Sequence, residues 1–152
     1  MNIRFPKQSD LPSIALVLDE TELFPKEMLE EMITPFFDDP HQQDQWFVCE
    51  DEEQRVVGFA YCRPEPLTVG TWNLLAIGVR PQYQGRKFGA ALMQHIEQAL
   101  AAERLLIVET SSLDSFARTR AFYTRCGYDL VATIPDYWDA GDGKVIFSKH
   151  LG

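Results

Sequence analysis

Apolar positions recur along this chain with two periods, near 3.6 and near 2, and the switches between them mark out the elements. Residues 2–5 read as a short first strand. Ser9 or Asp10 can cap a helix with Pro12 in its first turn, carrying Ile14, Leu16, Val17 and Leu18 on one side. Pro25 opens a second helix over residues 26–37, with Met28, Leu29, Met32, Ile33, Phe36 and Phe37 at helical spacing. Residues 45–50 and 55–62 look like strands joined by the acidic turn Asp51-Glu52-Glu53-Gln54. A strand over residues 71–79 follows. The helix after Gly85, running to about Ala102, places Phe88, Leu92, His95, Ile96 and Ala99 on one stripe. Residues 105–110 form a compact apolar strand, and residues 115–126 a helix closed by Gly127 at a C-cap position. Residues 128–134 and 144–149 then read as a closing strand pair, joined by a loop over residues 135–143. The order β-α-α-β-β-β-α-β-α-β-β predicts one mixed sheet with helices on both faces. There is no repeat and no linker, so residues 1–152 are expected to form a single domain, long enough for a proper core.

The passage out of the strand over residues 71–79 carries the first chemical signal. An apolar run breaks at Arg80-Pro81, turns through Gly85 and Gly89, and becomes a helix. The first helical N–H groups lack partners within the helix, and the helix dipole is positive there, so such a turn can cradle a phosphate. Glycine removes the side chain that would hold an anion away. Charge singles out the same place. The chain has a formal net charge of -9, yet residues 66–96 contain no Asp or Glu while holding Arg80, Arg86 and Lys87. Average spreading would put roughly five acids in such a window. A buried strand and a core helix also exclude acids, but they do not account for two cations beside two glycines.

Elsewhere the charge is strongly negative: residues 10–53 hold fourteen acids against one base, Lys26. Solvated helix faces are one reading, and a field that draws cationic substrates is the other. An acidic chain argues against a nucleic-acid partner, since phosphate contacts need a basic face. The apolar runs are far too short for a membrane span, and the start of the chain lacks a signal-peptide stretch, so a cytoplasmic location is expected. Cys49, Cys62 and Cys126 are odd in number and widely spaced, which suggests neither a disulfide framework nor a metal site.

Over nearly its whole length the chain resembles the GCN5-related N-acetyltransferase (GNAT) superfamily. The superfamily's phosphate-loop pattern, Gln/Arg-x-x-Gly-x-Gly/Ala, is matched at its first and last positions by Gln84-Gly85-Arg86-Lys87-Phe88-Gly89, with Lys87 in place of the middle glycine. A second signature, an aromatic pair on a helix ending in Gly-aromatic, is matched by Ala121-Phe122-Tyr123-Thr124-Arg125-Cys126-Gly127-Tyr128. The resemblance implies an α/β (mixed α+β) fold with a mostly antiparallel sheet of about seven strands. It implies transfer of an acetyl group from acetyl-CoA to a primary amine by direct attack in a ternary complex, with no metal.

What the resemblance implies for single residues can be written out. The N–H groups of Ile77, Gly78 and Val79 would hold the pantetheine and the acyl oxygen. Gln84, Gly85, Arg86, Lys87, Phe88, Gly89 and Ala90 would hold the pyrophosphate. An Asn common in the superfamily is replaced by Phe116, and Ser111, Ser112 or Ser115 could take over its bond to the pantetheine, Ser112 being the position chosen here. Tyr123 is the candidate acid at sulfur. A phenol near pKa 10 and a thiol near 8.5 make full proton transfer uphill by roughly 2 kcal/mol, so a hydrogen bond to the developing thiolate is the expected form. Glu109, in an otherwise uncharged strand, is the first candidate for general base, because a carboxylate at a strand end can have a raised pKa. Glu20, Glu22, Asp136 and Asp142 are the alternatives, and water can also carry the proton. His95 lies on the core stripe and reads as structural. Glu20 and Glu22, with Asp136, Tyr137 and Trp138 in the loop, are expected to build the acceptor side.

Three other readings stay open. A non-catalytic sensor could keep the acyl-CoA cradle. A nucleotide phosphoryl transferase would need the Gly-Lys-Ser/Thr ending that this loop lacks. Transfer to an acceptor other than an amine would use the same cradle. The acceptor's identity and the oligomeric state, a homodimer included, are left undecided by the residues.

Overall fold

The computed structural model describes all residues from Met1 to Gly152. Seven strands form one sheet: β1 (Asn2–Arg4), β2 (Gln45–Glu50), β3 (Val56–Pro64), β4 (Thr71–Val79), β5 (Leu105–Ser111), β6 (Asp129–Asp139) and β7 (Asp142–His150), in the order β1-β2-β3-β4-β5-β7-β6. The β1–β2, β2–β3, β5–β7 and β6–β7 pairs are antiparallel, and β4–β5 is parallel. Four helices flank the sheet: α1 (Leu11–Thr21), α2 (Leu29–Asp38), α3 (Phe88–Ala99) and α4 (Ala117–Arg125). The mixed, mostly antiparallel α+β class expected from the sequence is therefore found. The chain divides into two compact units, one of Met1–Arg63 with Leu75–Gln98, the other of Pro64–Leu74 with Ala99–Gly152.

In the first unit β2 is buried at every interior position, because both faces are covered. Trp46 and Val48 join Ile14, Val17 and Leu18 of α1, Leu29 and Ile33 of α2, and Phe59 of β3 in one core cluster. Phe47 points the other way, its ring 5.0 Å from His95 of α3 in an edge contact. His95 is thus a packing residue. Ala99 is exposed at the end of α3, and Met93, absent from the predicted stripe, is buried instead. The helix stops three residues earlier than its pattern suggested.

Asp10 does not cap α1 with its side chain, as the sequence had suggested. Its carboxylate accepts from the Lys7 N–H at 2.7 Å and takes two bonds from Arg4, at 2.7 and 3.0 Å. Burial alone would raise this carboxyl, but the Arg4 guanidinium and the Lys7 amide together hold it below its ordinary value.

The second unit centres on Leu106, Val108 and Phe147, which are almost fully buried, with Tyr123 of α4 5.6 Å from Phe147. Its β4–β5 register runs from Thr71↔Leu105 to Leu74↔Val108 and ends there, although β5 continues to Ser111. The closing hairpin departs from expectation. Residues 135–143 are not a free loop: β6 extends through Asp139, and the link to β7 is Ala140 and Gly141 alone. Loop character survives as a wide bulge. Ile134 pairs with Lys144 and Asp139 with Asp142, so Pro135, Asp136, Tyr137 and Trp138 stand opposite Gly143 only. A side chain at Gly143 would meet the Ile134 carbonyl at 3.1 Å and Ser112 Oγ at 3.2 Å.

Two glycines in the first unit test how tightly β3 and β4 are placed. A Cβ at Gly58 would lie 2.8 Å from the Gly78 carbonyl, which is backbone and cannot swing aside. A Cβ at Gly78 would meet the Leu23 Cδ1 at 2.6 Å, the end of a flexible side chain. Urea unfolding should show Gly58→Ala destabilised by about 1–3 kcal/mol, as for overpacked cores, and Gly78→Ala clearly less. Equal losses would contradict this packing.

Candidate active site

Between β4 and α3 the backbone makes an unusual path. A 3-10 turn at Pro81–Tyr83 is followed by Gln84, whose Nε2 donates to the Val79 carbonyl at 2.9 Å and ties the turn to the strand end. Gly85 has φ +78 with nothing within 4 Å of where a Cβ would stand. Lys87, which replaces the glycine of the resembling pattern, is itself left-handed at φ +70. Two left-handed residues in a three-residue stretch redirect the chain so that α3 starts at Phe88.

Helical bonding begins with the Ala91 N–H donating to the Lys87 carbonyl at 3.0 Å. The N–H groups of Phe88, Gly89 and Ala90 precede it and have no intrahelical acceptor. Arg86 and Lys87 are exposed beside them, and neither enters an ion pair. Tyr83 is buried and backs the turn, its ring 5.9 Å from Phe88 in an edge contact, with the Arg86 guanidinium 5.5 Å from its centre. This arrangement suits an oxyanion such as a diphosphate: open amides, a positive helix end, free cations and no acid within the turn itself, although Asp51, Glu52 and Glu53 line a surface pocket together with Arg86 and Phe88.

Farther along the same unit, Arg80 makes two bonds to the Glu20 carboxylate, at 2.8 and 3.0 Å. Those bonds hold Glu20 below the ordinary range of a glutamate. Glu22 is exposed and ends α1 in a left-handed conformation, φ 55. In β4, Gly78 and Val79 are buried and Ile77 is half-buried.

The second unit holds the remaining candidates. Tyr123 is buried among Phe122, Tyr128 and Phe147, and burial pushes its phenol well above the ordinary tyrosine range. Glu109 is not the isolated strand charge that was expected. Its carboxylate is ion-paired to Lys144 and accepts from Asn73 Nδ2 at 2.7 Å. Asn73 donates also to Glu65, at 2.8 Å, so one amide bridges two carboxylates. Ser112 Oγ accepts from the Gly143 N–H at 2.7 Å, which leaves its hydroxyl proton available to donate. Asp136, at φ 57, accepts from the Gly141 N–H at 2.8 Å, and Asp142 accepts from Ser111. Tyr137 and Trp138 are half-exposed on β6, their rings edge to face at 4.7 Å.

The family pattern described as "Acetyltransferase (GNAT) family" matches residues 13–128. The chain belongs to this acetyltransferase family. No curated protein matches the sequence. Among solved structures, a GNAT-family protein from Desulfovibrio desulfuricans is 26% identical, with a TM-score of 0.90 over 99% of both chains. An aminoglycoside 6'-N-acetyltransferase complexed with coenzyme A is 18% identical, with a TM-score of 0.80, 100% of this chain and 98% of that one being covered. The ribosomal-protein-S18-alanine N-acetyltransferase of Escherichia coli is 19% identical, at 0.77 over 99% of this chain and 94% of its own. These two likenesses concern the fold. As a GNAT acetyltransferase the chain is of a kind that binds acetyl-CoA, and the open α3 terminus fits that ligand's diphosphate.

Lys144 and Asn73 were not found by sequence reasoning. Lys144 reaches Glu109 because Ser111 pairs with Lys144, a long-range register that no local pattern reveals. Asn73 did leave a signal, as the one amide side chain inside the apolar run of β4. Lys87 has a cost of its own. A non-glycine residue held left-handed is strained by about 1 kcal/mol, which glycine's extra unfolded-state entropy partly offsets. Lys87→Gly should therefore leave the thermal midpoint unchanged or raise it slightly. A clear drop would mean that the Lys87 side chain itself stabilises the turn.

Proposed function

We propose that this acetyltransferase moves an acetyl group from acetyl-CoA to a primary amine by direct attack in a ternary complex. The observation that carries the coenzyme half is the start of α3, where unpaired amides, Arg86 and Lys87 meet on an acid-free turn. The N–H groups of residues 85–90 hold the diphosphate, with Gln84 fixing the turn and the two cations adding charge. The N–H groups around Ile77, Gly78 and Val79 hold the pantetheine and the acyl oxygen, and stabilise the oxyanion as the amine adds. Ser112 donates its free hydroxyl proton to the pantetheine arm.

The amine nitrogen bonds to the thioester carbon, the carbon–sulfur bond breaks, and CoA leaves as a thiolate. Tyr123 donates a hydrogen bond to that sulfur. Its buried phenol, raised further above the thiol than a free one, makes early proton transfer still less favourable, so the phenol acts by holding charge. The ammonium proton of the acceptor leaves through water. Glu109 is engaged by Lys144 and Asn73, and Glu20 by Arg80, which leaves neither of these carboxylates an open path as base. Acceptor binding is assigned to Glu20, Glu22, Asp136, Tyr137 and Trp138. The protein works in the cytoplasm, without nucleic acid, membrane or metal.

Thiol release from acetyl-CoA across a library of amines tests this reading. At least one primary amine should support turnover, and its product should carry the acetyl group on nitrogen. Tyr123→Phe should cut kcat about 10- to 150-fold, the size of a lost hydrogen bond to a charged group, while the affinity for acetyl-CoA stays within about twofold. Unchanged kcat would remove Tyr123 from the reaction. Absence of turnover with every amine, in protein that binds acetyl-CoA, would favour a sensor.

A further inference from the structure

The bulge in β6 places two aromatic rings and one carboxylate around a single cation. Lys144 Nζ lies 4.3 Å from the centre of the Tyr137 ring and 6.0 Å from that of Trp138, and is ion-paired to Glu109. The Trp138 indole N–H donates to the Thr110 carbonyl at 3.4 Å, which sets the ring's edge against β5. Asn73 is almost fully buried and donates to the Glu109 carboxylate, its own Oδ1 having no hydrogen-bond partner. Lys144 and Glu109 side chains are mostly shielded, at 16% and 17% exposure, whereas the rings above them are half-exposed. A carboxylate with two ring faces is the donor set by which proteins recognise alkylammonium ligands.

Here the chain fills that cage with its own side chain. The bulge also explains how adjacent residues of one strand both reach the same cation: in a regular strand Tyr137 and Trp138 would point to opposite faces. A surface salt bridge would need neither the bulge nor the rings.

We infer that Lys144 occupies an alkylammonium cage and thereby sets acceptor choice, so that the enzyme takes amines lacking a second cationic group and turns away diamines and polyamines. The specificity half rests on the proposed amine transfer, with Tyr137 and Trp138 on the acceptor side. The cage itself does not. A second ammonium on an acceptor has no vacant ring–carboxylate position to enter, and it meets the like charge of Lys144 instead. Cutting Lys144 back to alanine vacates the cage while keeping Glu109, Tyr137 and Trp138.

Two arms test this. In the first, tetramethylammonium is titrated while tryptophan fluorescence is followed, Trp46 and Trp72 being buried and Trp138 half-exposed. Lys144→Ala should bind it at least tenfold more tightly than the parent protein, Lys144→Arg should not, and the added change Glu109→Gln should abolish the gain. Lys144→Ser serves in the same role should Lys144→Ala fail to fold, as judged by circular dichroism. Equal binding by folded Lys144→Ala or Lys144→Ser and the parent protein would overturn the cage. In the second arm, the ratio of kcat/KM for spermidine over butylamine should rise at least tenfold in the neutral variant, with KM for acetyl-CoA unchanged. An unchanged ratio overturns the specificity role. If the parent protein acetylates no amine, that role falls together with the proposed function, while the fluorescence arm still decides the cage.

Discussion

At the start of α3 the backbone leaves three amide groups without helical acceptors, and much of the first unit serves to present them. Gln84 ties the turn to the end of β4, and buried Tyr83 supports it from beneath. Gly85 and Lys87 supply the two left-handed residues that swing the helix axis round. Unpaired amides are costly when buried and cheap when they meet water or an anion. The fold keeps them at the surface, next to cations with no acid partner. Side-chain chemistry can drift at such a site, because the donors belong to the main chain. That is consistent with Lys87 standing where the superfamily pattern has glycine: it takes a left-handed φ that glycine adopts most readily.

Side chains in the second unit follow a different logic, in which charges are committed rather than left open. Asn73 bridges Glu65 and Glu109, Lys144 answers Glu109, and Ser111 and Ser112 hold the hairpin through Asp142 and Gly143. Apart from Asn73 Oδ1, which has no partner, these polar groups settle one another, as polar groups in shielded surroundings do. A dedicated general base is hard to build from carboxylates so engaged. Tyr123 stands apart, shielded among rings, with a phenol that burial keeps protonated.

Much of this was legible in the residues. The bounds of β4 follow from an apolar run closed by Arg80-Pro81, and α3 from the spacing of Phe88, Leu92 and Ile96. Local chemistry also announced the turn, since its glycine and cations are sequence neighbours. What escaped was long-range. Pro135, Asp136, Gly141 and Gly143 are turn formers and read locally as a loop, and only the pairing of β6 with β7 puts Pro135, Asp136 and Gly143 in strands. Lys144 beside Glu109 depends on the same register. Asp10, a cap candidate alongside Ser9, stands before an apolar run as caps usually do, yet Arg4, six residues back, claims its carboxylate. Burial of Met93 in place of Ala99 is a matter of where α3 ends.

The central claim is that main-chain amides at the start of α3 bind the coenzyme's diphosphate. Backbone amide resonances of isotopically labelled protein, followed as CoA is added, test it at the atoms concerned. The account predicts that the amides of Gly85, Phe88, Gly89 and Ala90 move most and saturate together. Saturable binding in which those resonances stay still, while amides elsewhere move, would contradict it.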